Sequence, residues 1–200
     1  LSNNLIKSEK DDKKFYPLEV NVCKNCFNAQ LSIKPDFKKI YSNYLYKSSI
    51  SKKFIAHFDK AALKYIKLFK LKPRKSFIID IGSNDGIGLI PFKKKGFKNI
   101  LGYEPSIKLC KESRKLGIKT INKFFDKKNT KALQNKADLV LASNVFAHND
   151  NLEEMLECIK NSLKFNGTIV IEIQYLINTI KDVSFDNIYH EHVNYWSLTS

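Results

Sequence analysis

From residue 76 onward, short apolar runs alternate with segments whose apolar positions recur at helical spacing. The runs KSFIIDI, NILGYEPS, KTINKFF, ADLVLAS and TIVIEIQY predict five strands, and the segments between them predict helices. A continuous apolar run is typical of a strand buried on both faces, and repeated strand–helix units imply a parallel sheet. The pattern therefore predicts an α/β fold with a Rossmann-like, parallel-sheet core.

Two of the predicted helices have recognisable ends. Apolar residues at helical spacing predict a helix over residues 52–71, with Ser51 as its N-cap and Pro73 ending it. The segment NLEEMLECIKNSLKFNG predicts another helix over residues 151–167, capped by Gly167.

The net charge of +15 makes an acidic partner such as RNA or a nucleotide diphosphate conceivable. The lysines are spread along the whole chain without a dense basic block, so nucleic acid is a weak expectation. No run approaches the length of a membrane helix, and the first residues carry charges where a signal peptide has apolar residues. We therefore expect no membrane partner and a cytoplasmic location.

The segment IGSNDGIG directly follows the first predicted strand of the sheet. Ligands of open parallel sheets bind beyond the carboxyl ends of the strands, and glycines let the backbone approach them. The segment lacks the second glycine of a dinucleotide motif and carries an acid, which suits a cofactor with ammonium and sulfonium groups. Glu104, at the end of the second strand, is placed to accept ribose hydroxyls. These features predict S-adenosylmethionine bound by Asp80, Gly82, Asn84, Asp85, Gly86 and Glu104.

Three further residues are candidates for the same pocket. Asn144 follows the fourth strand and is placed to line the pocket beneath the sulfonium. Phe124 and Phe125 follow the third strand, where aromatic rings would pack on adenine, although core packing explains them equally well. An ordinary strand–turn–helix with Asp80 as a buried, hydrogen-bonded acid is the alternative for the turn itself.

Six segments of the chain, in this order, resemble the sugar C-methyltransferase family: YPLEVNVCKNCFNAQL, YLYKSSIS, IIDIGSNDGIGL, GYEPS, SNVFAH and FDNIYHEHVNYWSL. Members of that family have a zinc-binding module, an S-adenosylmethionine domain and a C-terminal Rossmann-like domain. The resemblance implies a partial zinc-binding module at 1–40, a linker and helix at 41–73, and a methyltransferase domain at 74–200 truncated before the C-terminal domain.

The resemblance also implies a reaction, namely carbon methylation of a keto-deoxysugar linked to a nucleotide diphosphate. It makes His192 the base that removes the proton beside the ketone, and Tyr189, Glu191 and His148 its orienting or oxyanion-binding neighbours. The residue types suit this chemistry, because imidazole accepts a proton near neutral pH and a tyrosine hydroxyl stabilises an oxyanion. By the same resemblance, Tyr44 or Tyr46 contacts the substrate.

The pair Cys23 and Cys26 has metal-ligand spacing, but structural zinc needs four ligands. Zinc is therefore expected in a full-length parent and doubtful with this pair alone. Cys110 and Cys158 lie on predicted helices and are expected to be buried in the core.

Two other functions fit the sequence. One keeps S-adenosylmethionine and methylates an oxygen or nitrogen of a small molecule, or RNA. The other is a non-catalytic module whose basic surface binds nucleic acid. The identity of the sugar, the nucleotide and the methylated carbon stays open.

Overall fold

A computed structural model describes residues 16–34, 36–42 and 44–200, without the side chain of Lys39. The strands of the described chain are β1 (Val20–Val22), β2 (Ala29–Leu31), β3 (Ile78–Ile81), β4 (Ile100–Tyr103), β5 (Thr120–Ile121), β6 (Ala137–Ser143), β7 (Leu163–Glu172) and β8 (Asn194–Tyr195). Its α-helices are α1 (Phe37–Ser42), α2 (Lys52–Leu68), α3 (Ile90–Lys94), α4 (Ile107–Lys115), α5 (Lys127–Thr130), α6 (Leu152–Ser162) and α7 (Leu176–Lys181).

The described chain divides into two compact units. Unit 1 comprises the described part of residues 1–40 together with Asn144–Asp150 and Glu172–Ser200, and unit 2 comprises Tyr41–Ser143 and Asn151–Ile171. These units do not follow the predicted domain boundaries at residues 40 and 73. Residues 41–73 group with the large sheet, and the C-terminal residues group with the N-terminal ones. Residues 1–15 of the predicted N-terminal module lie outside the described residues.

The large sheet is the predicted one. Its strands within the described chain follow the order β5-β4-β3-β6-β7, and β3 pairs in parallel with both β4 and β6. The register places Ile81 opposite Tyr103, so the turn after β3 and the residue after β4 lie at the same edge. Ile78 and Leu139 in the strands are fully buried, as continuous apolar runs predict, and Phe92 of α3 packs in the same core. The Rossmann-like prediction is thereby confirmed.

Helix α2 begins as predicted, because the Ser51 side chain accepts a hydrogen bond from the Phe54 amide. The predicted helix over 151–167 is wrong in its last turn and in its cap. Helix α6 ends at Ser162, whose hydroxyl bonds to the Cys158 carbonyl, and Leu163 is already extended in β7. Gly167 lies within β7, where a Cβ would come 2.7 Å from the Ala137 carbonyl oxygen. The glycine therefore serves close strand packing.

Unit 1 contains a small antiparallel sheet. Strand β2 pairs with β1 on one side and with β8 on the other, with Ala29 opposite Tyr195. The side chains of Ala29, Leu31, Val193 and Tyr195 form its buried core. No helix in the described part of the chain is long and apolar enough to cross a membrane.

Candidate active site

The turn after β3 adopts the geometry that its glycines permit. Gly82 and Gly86 have φ of +63° and +87°, and Asn84, at +50°, is also left-handed, a conformation that asparagine tolerates better than most residues. The Ser83 amide donates to the Tyr103 carbonyl at 2.9 Å, which fastens the turn to the end of β4. Gly88 closes the turn, since a Cβ there would lie 2.6 Å from Oδ2 of Asp80.

Three predicted acids are buried together around this turn, namely Asp80, Asp85 and Glu104. The two carboxylate oxygens of Glu104 accept hydrogen bonds from the Asn84 and Ser106 amides, both at 2.8 Å. These bonds hold Glu104 at the turn, and each oxygen keeps a second lone pair for a ligand hydroxyl.

Within the part of the chain that the structure describes, these acids have no basic side chain as a counter-ion. Across residues 16–34, 36–42 and 44–200, no Lys, Arg or His nitrogen forms an ion pair with any of the three. Burial, and then the charge of Glu104, raises the pKa of Asp80 to about 8. Burial also raises the pKa of Glu104 to about 7, against the lowering effect of its two amide hydrogen bonds. A cationic ligand would relieve this shared negative charge.

Asp85 supplies a further sign of an incomplete site. Its side chain is fully buried, and Oδ2 accepts a hydrogen bond from the Ser49 amide at 3.2 Å. Its Oδ1 has no hydrogen-bond partner within the described residues. Buried polar atoms are nearly always satisfied, so a ligand with donor groups fits here. We call Asp80, residues 82–86 and Glu104 the cofactor cradle; its residues fit an ammonium- and sulfonium-bearing nucleoside.

The three further candidates for the cofactor pocket lie in different surroundings. Phe125 is buried and packs edge-on against Tyr103, with ring centroids 5.0 Å apart, so core packing accounts for it. Phe124 is half-buried. Asn144 follows β6 with φ of +55° and groups with unit 1, where its amide donates to the Glu172 carbonyl at 2.7 Å.

Sequence reasoning missed two polar residues that support the cradle. The Asn122 side-chain amide donates to the carbonyls of Glu104 and Pro105 at 2.9 and 2.8 Å, fixing the backbone that carries the glutamate. Ser106 caps α4 through its hydroxyl, which accepts from the Leu109 amide. The serine was recognisable as a residue directly before an amphipathic helix.

Unit 1 brings the predicted catalytic residues together. The rings of His148 and His192 lie 4.7 Å apart, and the Tyr189 ring lies 4.1 Å from that of His192. The Tyr189 hydroxyl lies 3.0 Å from Nε2 of His192. We call His148, Asn187, Tyr189 and His192 the imidazole cluster.

Main-chain carbonyls set the tautomers of both rings. Nδ1 of His192 lies 2.8 Å from the Asn187 carbonyl oxygen, and Nδ1 of His148 lies 2.8 Å from that of Glu191. A carbonyl only accepts, so both Nδ1 atoms carry the proton and both Nε2 atoms keep a lone pair in the neutral rings. Glu191, which is fully buried, thus orients His148 through its main chain. Asn187 was missed because a backbone carbonyl has no sequence signal.

Burial keeps these imidazoles neutral. It lowers the pKa of His148 to about 3, with the charge of His192 adding to the effect. It also lowers the pKa of His192, although the Asn187 carbonyl and the Glu191 charge act in the opposite direction. At neutral pH, therefore, Nε2 of His192 is a fixed, unprotonated base.

Cys23 and Cys26 lie in the turn between β1 and β2, where the Cys23 amide donates to Asn28 and its carbonyl accepts from Phe27. Backbone hydrogen bonds from Cys26 and Asn25 lower the pKa of Cys23. No group of three or more His, Cys, Asp or Glu residues suited to a metal occurs in the described chain. Two thiols alone do not complete a structural zinc site. Cys110 and Cys158 are buried, as predicted.

The two tyrosines of the linker belong to unit 2. Tyr44 is half-buried and packs against Tyr41, with ring centroids 5.3 Å apart, whereas the Tyr46 side chain is largely exposed. Their backbone lies beside the cofactor cradle, because the Ser106 hydroxyl donates to the Tyr44 carbonyl and Nδ2 of the Asn84 side chain donates to the Tyr46 carbonyl.

A parallel sheet of this strand order, with a glycine-bearing acidic turn after β3 and a buried acid after β4, defines a Rossmann-like methyltransferase domain. The chain belongs to the family described as methyltransferase domain, which matches residues 54–200. The prediction of a methyltransferase is thereby confirmed, with S-adenosylmethionine as the cofactor of the class.

Individual relatives agree with this class. The chain is 29% identical to the C-methyltransferase NovU of Streptomyces niveus over 207 aligned positions, which cover 100% of this chain and 48% of that protein. This chain therefore spans about half the length of that relative. A SAM-dependent methyltransferase of Archaeoglobus fulgidus superposes with a TM-score of 0.61 at 20% identity, covering 75% of this chain and 67% of the other. The plantazolicin methyltransferase BpumL, solved with S-adenosylhomocysteine, gives 0.55 at 22% identity, covering 66% and 52%.

Proposed function

We propose that the protein transfers a methyl group from S-adenosylmethionine to a carbon atom of a keto-deoxysugar linked to a nucleotide diphosphate. The observation that carries this proposal is the neutral His192, whose tautomer is fixed by the Asn187 carbonyl and whose Nε2 lone pair accepts from the Tyr189 hydroxyl. Oxygen and nitrogen acceptors often have nucleophilic lone pairs of their own, whereas a carbon beside a ketone becomes nucleophilic only after a base removes its proton. The similarity to a C-methyltransferase supports the same choice.

His192 performs the first step. Its Nε2 takes the proton from the carbon beside the ketone, which leaves an enolate on the sugar and an imidazolium on the enzyme. In the described structure the Tyr189 hydroxyl donates to this Nε2. It must turn away before the ring accepts a proton, and it is then a donor for the enolate oxygen.

S-adenosylmethionine, when bound, would supply the electrophilic methyl group: the enolate carbon would take it as the carbon–sulfur bond breaks, which leaves S-adenosylhomocysteine and restores the ketone. The buried acids Asp80, Asp85 and Glu104 would hold the cofactor, Glu104 through its ribose hydroxyls and the negative cradle through its cationic groups. His148 and Glu191 keep the base oriented, and Tyr44 or Tyr46 contacts the sugar.

Two measurements test this proposal in sequence. Calorimetric titration with S-adenosylhomocysteine and S-adenosylmethionine tests the cradle, and mass spectrometry of reactions with nucleotide-linked keto- and hydroxy-sugars tests the acceptor. A methylated keto-sugar whose new methyl resists ester or ether cleavage supports carbon transfer. Methylation of RNA, or of a hydroxyl-bearing metabolite without a ketone, would overturn the acceptor assignment.

The substitution Asp80→Asn tests whether the cradle holds the cofactor. It keeps the shape of the side chain but prevents it from becoming negatively charged as the cation binds, and we expect about tenfold weaker binding of S-adenosylmethionine at pH 8. Asp138→Asn is the matched control, because Asp138 is ion-paired with Lys164 and lies away from the turn after β3 in the sheet. Equal affinity of the two variants would show that Asp80 does not hold the cofactor.

A further inference from the structure

Residues 44–50, which we call the linker segment, are fastened to the cofactor cradle by their main chain. The Ser48 amide donates to Oδ1 of Asn84 at 3.0 Å, and the Ser49 amide donates to Oδ2 of Asp85 at 3.2 Å. In the other direction, Nδ2 of Asn84 donates to the Tyr46 carbonyl at 3.0 Å, and the Ser106 hydroxyl donates to the Tyr44 carbonyl at 3.2 Å. Two residues expected to bind cofactor thus bind the chain that carries the two tyrosines.

Asn84 is central to this attachment. Its Oδ1 accepts from the Asp85 amide as well as from Ser48, so both lone pairs are used, while Nδ2 retains one free hydrogen. The side chain is buried, and the left-handed backbone at φ +50° is held by the hydrogen bond from its own amide to Glu104. The amide accepts at Oδ1 and donates from Nδ2, two separate atoms, whereas a serine or threonine hydroxyl offers a single oxygen for both tasks.

We propose that Asn84 is a positioning residue for the acceptor substrate, holding the linker segment so that Tyr44 and Tyr46 stay fixed at the cofactor cradle. This inference rests on the proposed function for the role of the tyrosines. It differs from the expectation of Asn84 as a cofactor ligand, because Glu104, which is proposed to hold the cofactor, is fixed by the Asn84 and Ser106 main-chain amides and not by the linker segment. Loss of the amide therefore weakens acceptor binding more than cofactor binding.

Asn84→Gly is the informative change. Glycine adopts the left-handed conformation freely, so the variant removes the side-chain amide and leaves the backbone of the turn intact. Asn135→Gly is the matched control, because Asn135 has nearly the same φ, +53°, and is exposed. Ser48→Pro removes the donor of the hydrogen bond that Oδ1 of Asn84 accepts. Ser48 begins a short 3-10 turn and Lys47 before it is extended, so proline fits there and removes the N–H that donates to Asn84, together with the serine hydroxyl.

Two readouts decide the proposal. Amide hydrogen exchange across residues 44–50 should become about tenfold faster in Asn84→Gly and Ser48→Pro, and stay unchanged in Asn135→Gly. KM for the acceptor should rise about tenfold, and by more than the S-adenosylhomocysteine Kd rises. Unchanged exchange would overturn the attachment, and a Kd that rises as much as KM would make Asn84 a cofactor ligand.

The exchange measurement needs neither cofactor nor acceptor. If the unmodified protein binds no S-adenosylhomocysteine, the proposed function fails while the exchange still reports on the linker segment. Conversely, cofactor binding with unaltered exchange in both variants removes the positioning role of Asn84 alone.

Discussion

The cofactor cradle and the imidazole cluster are both buried, yet burial acts on them in opposite ways. In the cradle it raises the pKa of Asp80 to about 8 and that of Glu104 to about 7, so that these acids hold protons near neutrality. In the imidazole cluster it lowers the pKa of His148 to about 3 and also lowers that of His192, so that both rings are neutral. Removing water favours the uncharged form of every group.

The functional consequence differs between the two regions. In the proposed reaction a neutral imidazole with a fixed tautomer is the competent state of a base, so burial would prepare His192 for that role. A protonated acid is the weaker state for binding a cation, so the acids of the cradle would lose protons as a cationic ligand enters. Burial thus favours the neutral imidazole that a base needs, and it disfavours the ionised carboxylates that a cation would bind.

The largest effect should come from His192, the proposed base. His192→Ala removes the proton acceptor, and we expect kcat to fall by about 10²–10⁴ while the S-adenosylhomocysteine affinity stays the same. Mass spectrometry of the methylated product measures the rate, and deuterium incorporation beside the ketone measures proton removal by itself. His190→Ala is the control, since His190 contacts the Tyr16 and Pro17 carbonyls. Full methyl transfer by His192→Ala would exclude His192 as the base.

A smaller effect is expected from the shape of the cradle. A Cβ on Gly86 would lie 2.7 Å from the Ser113 hydroxyl, whereas one on Gly96 would meet nothing closer than 3.8 Å, and the two glycines have similar φ of +87° and +83°. Both alanine variants therefore lose about 1 kcal/mol of unfolding free energy through backbone strain. Only Gly86→Ala should also displace the turn, and its S-adenosylhomocysteine Kd should rise about tenfold in calorimetry. Equal Kd values in the two variants would contradict a tightly shaped turn.

The difference between local and distant contacts explains what the sequence predicts. Some features depend on residues that are neighbours in the chain, and their residue types predict them. These are the Ser51 cap, strand β3 and the glycine turn. The start of β7 at Leu163 depends on pairing beside β6, and the bond between Asn84 and Ser48 joins residues far apart in the chain. The carbonyl of Asn187, which fixes the tautomer of His192, belongs to the backbone that every residue has. Such features need the folded chain.

The smallest predicted effect is the pH dependence of cofactor affinity, which tests whether protonation of the buried acids weakens binding. Because a cation binds the ionised acids more tightly than the protonated ones, S-adenosylmethionine favours the loss of protons from Asp80 and Glu104, and a falling proton concentration favours its binding. Affinity should therefore rise several-fold, up to about tenfold, between pH 6 and pH 8, the range set by the two raised pKa values. S-adenosylhomocysteine lacks the sulfonium charge and should show a smaller rise, and Asp80→Asn should flatten the rise for S-adenosylmethionine. Calorimetry at several pH values, in buffers of different ionisation enthalpy, counts the protons released. An affinity that is constant or falls with pH would mean that the acids stay protonated around the bound cofactor, and the contrast with the imidazole cluster would then disappear.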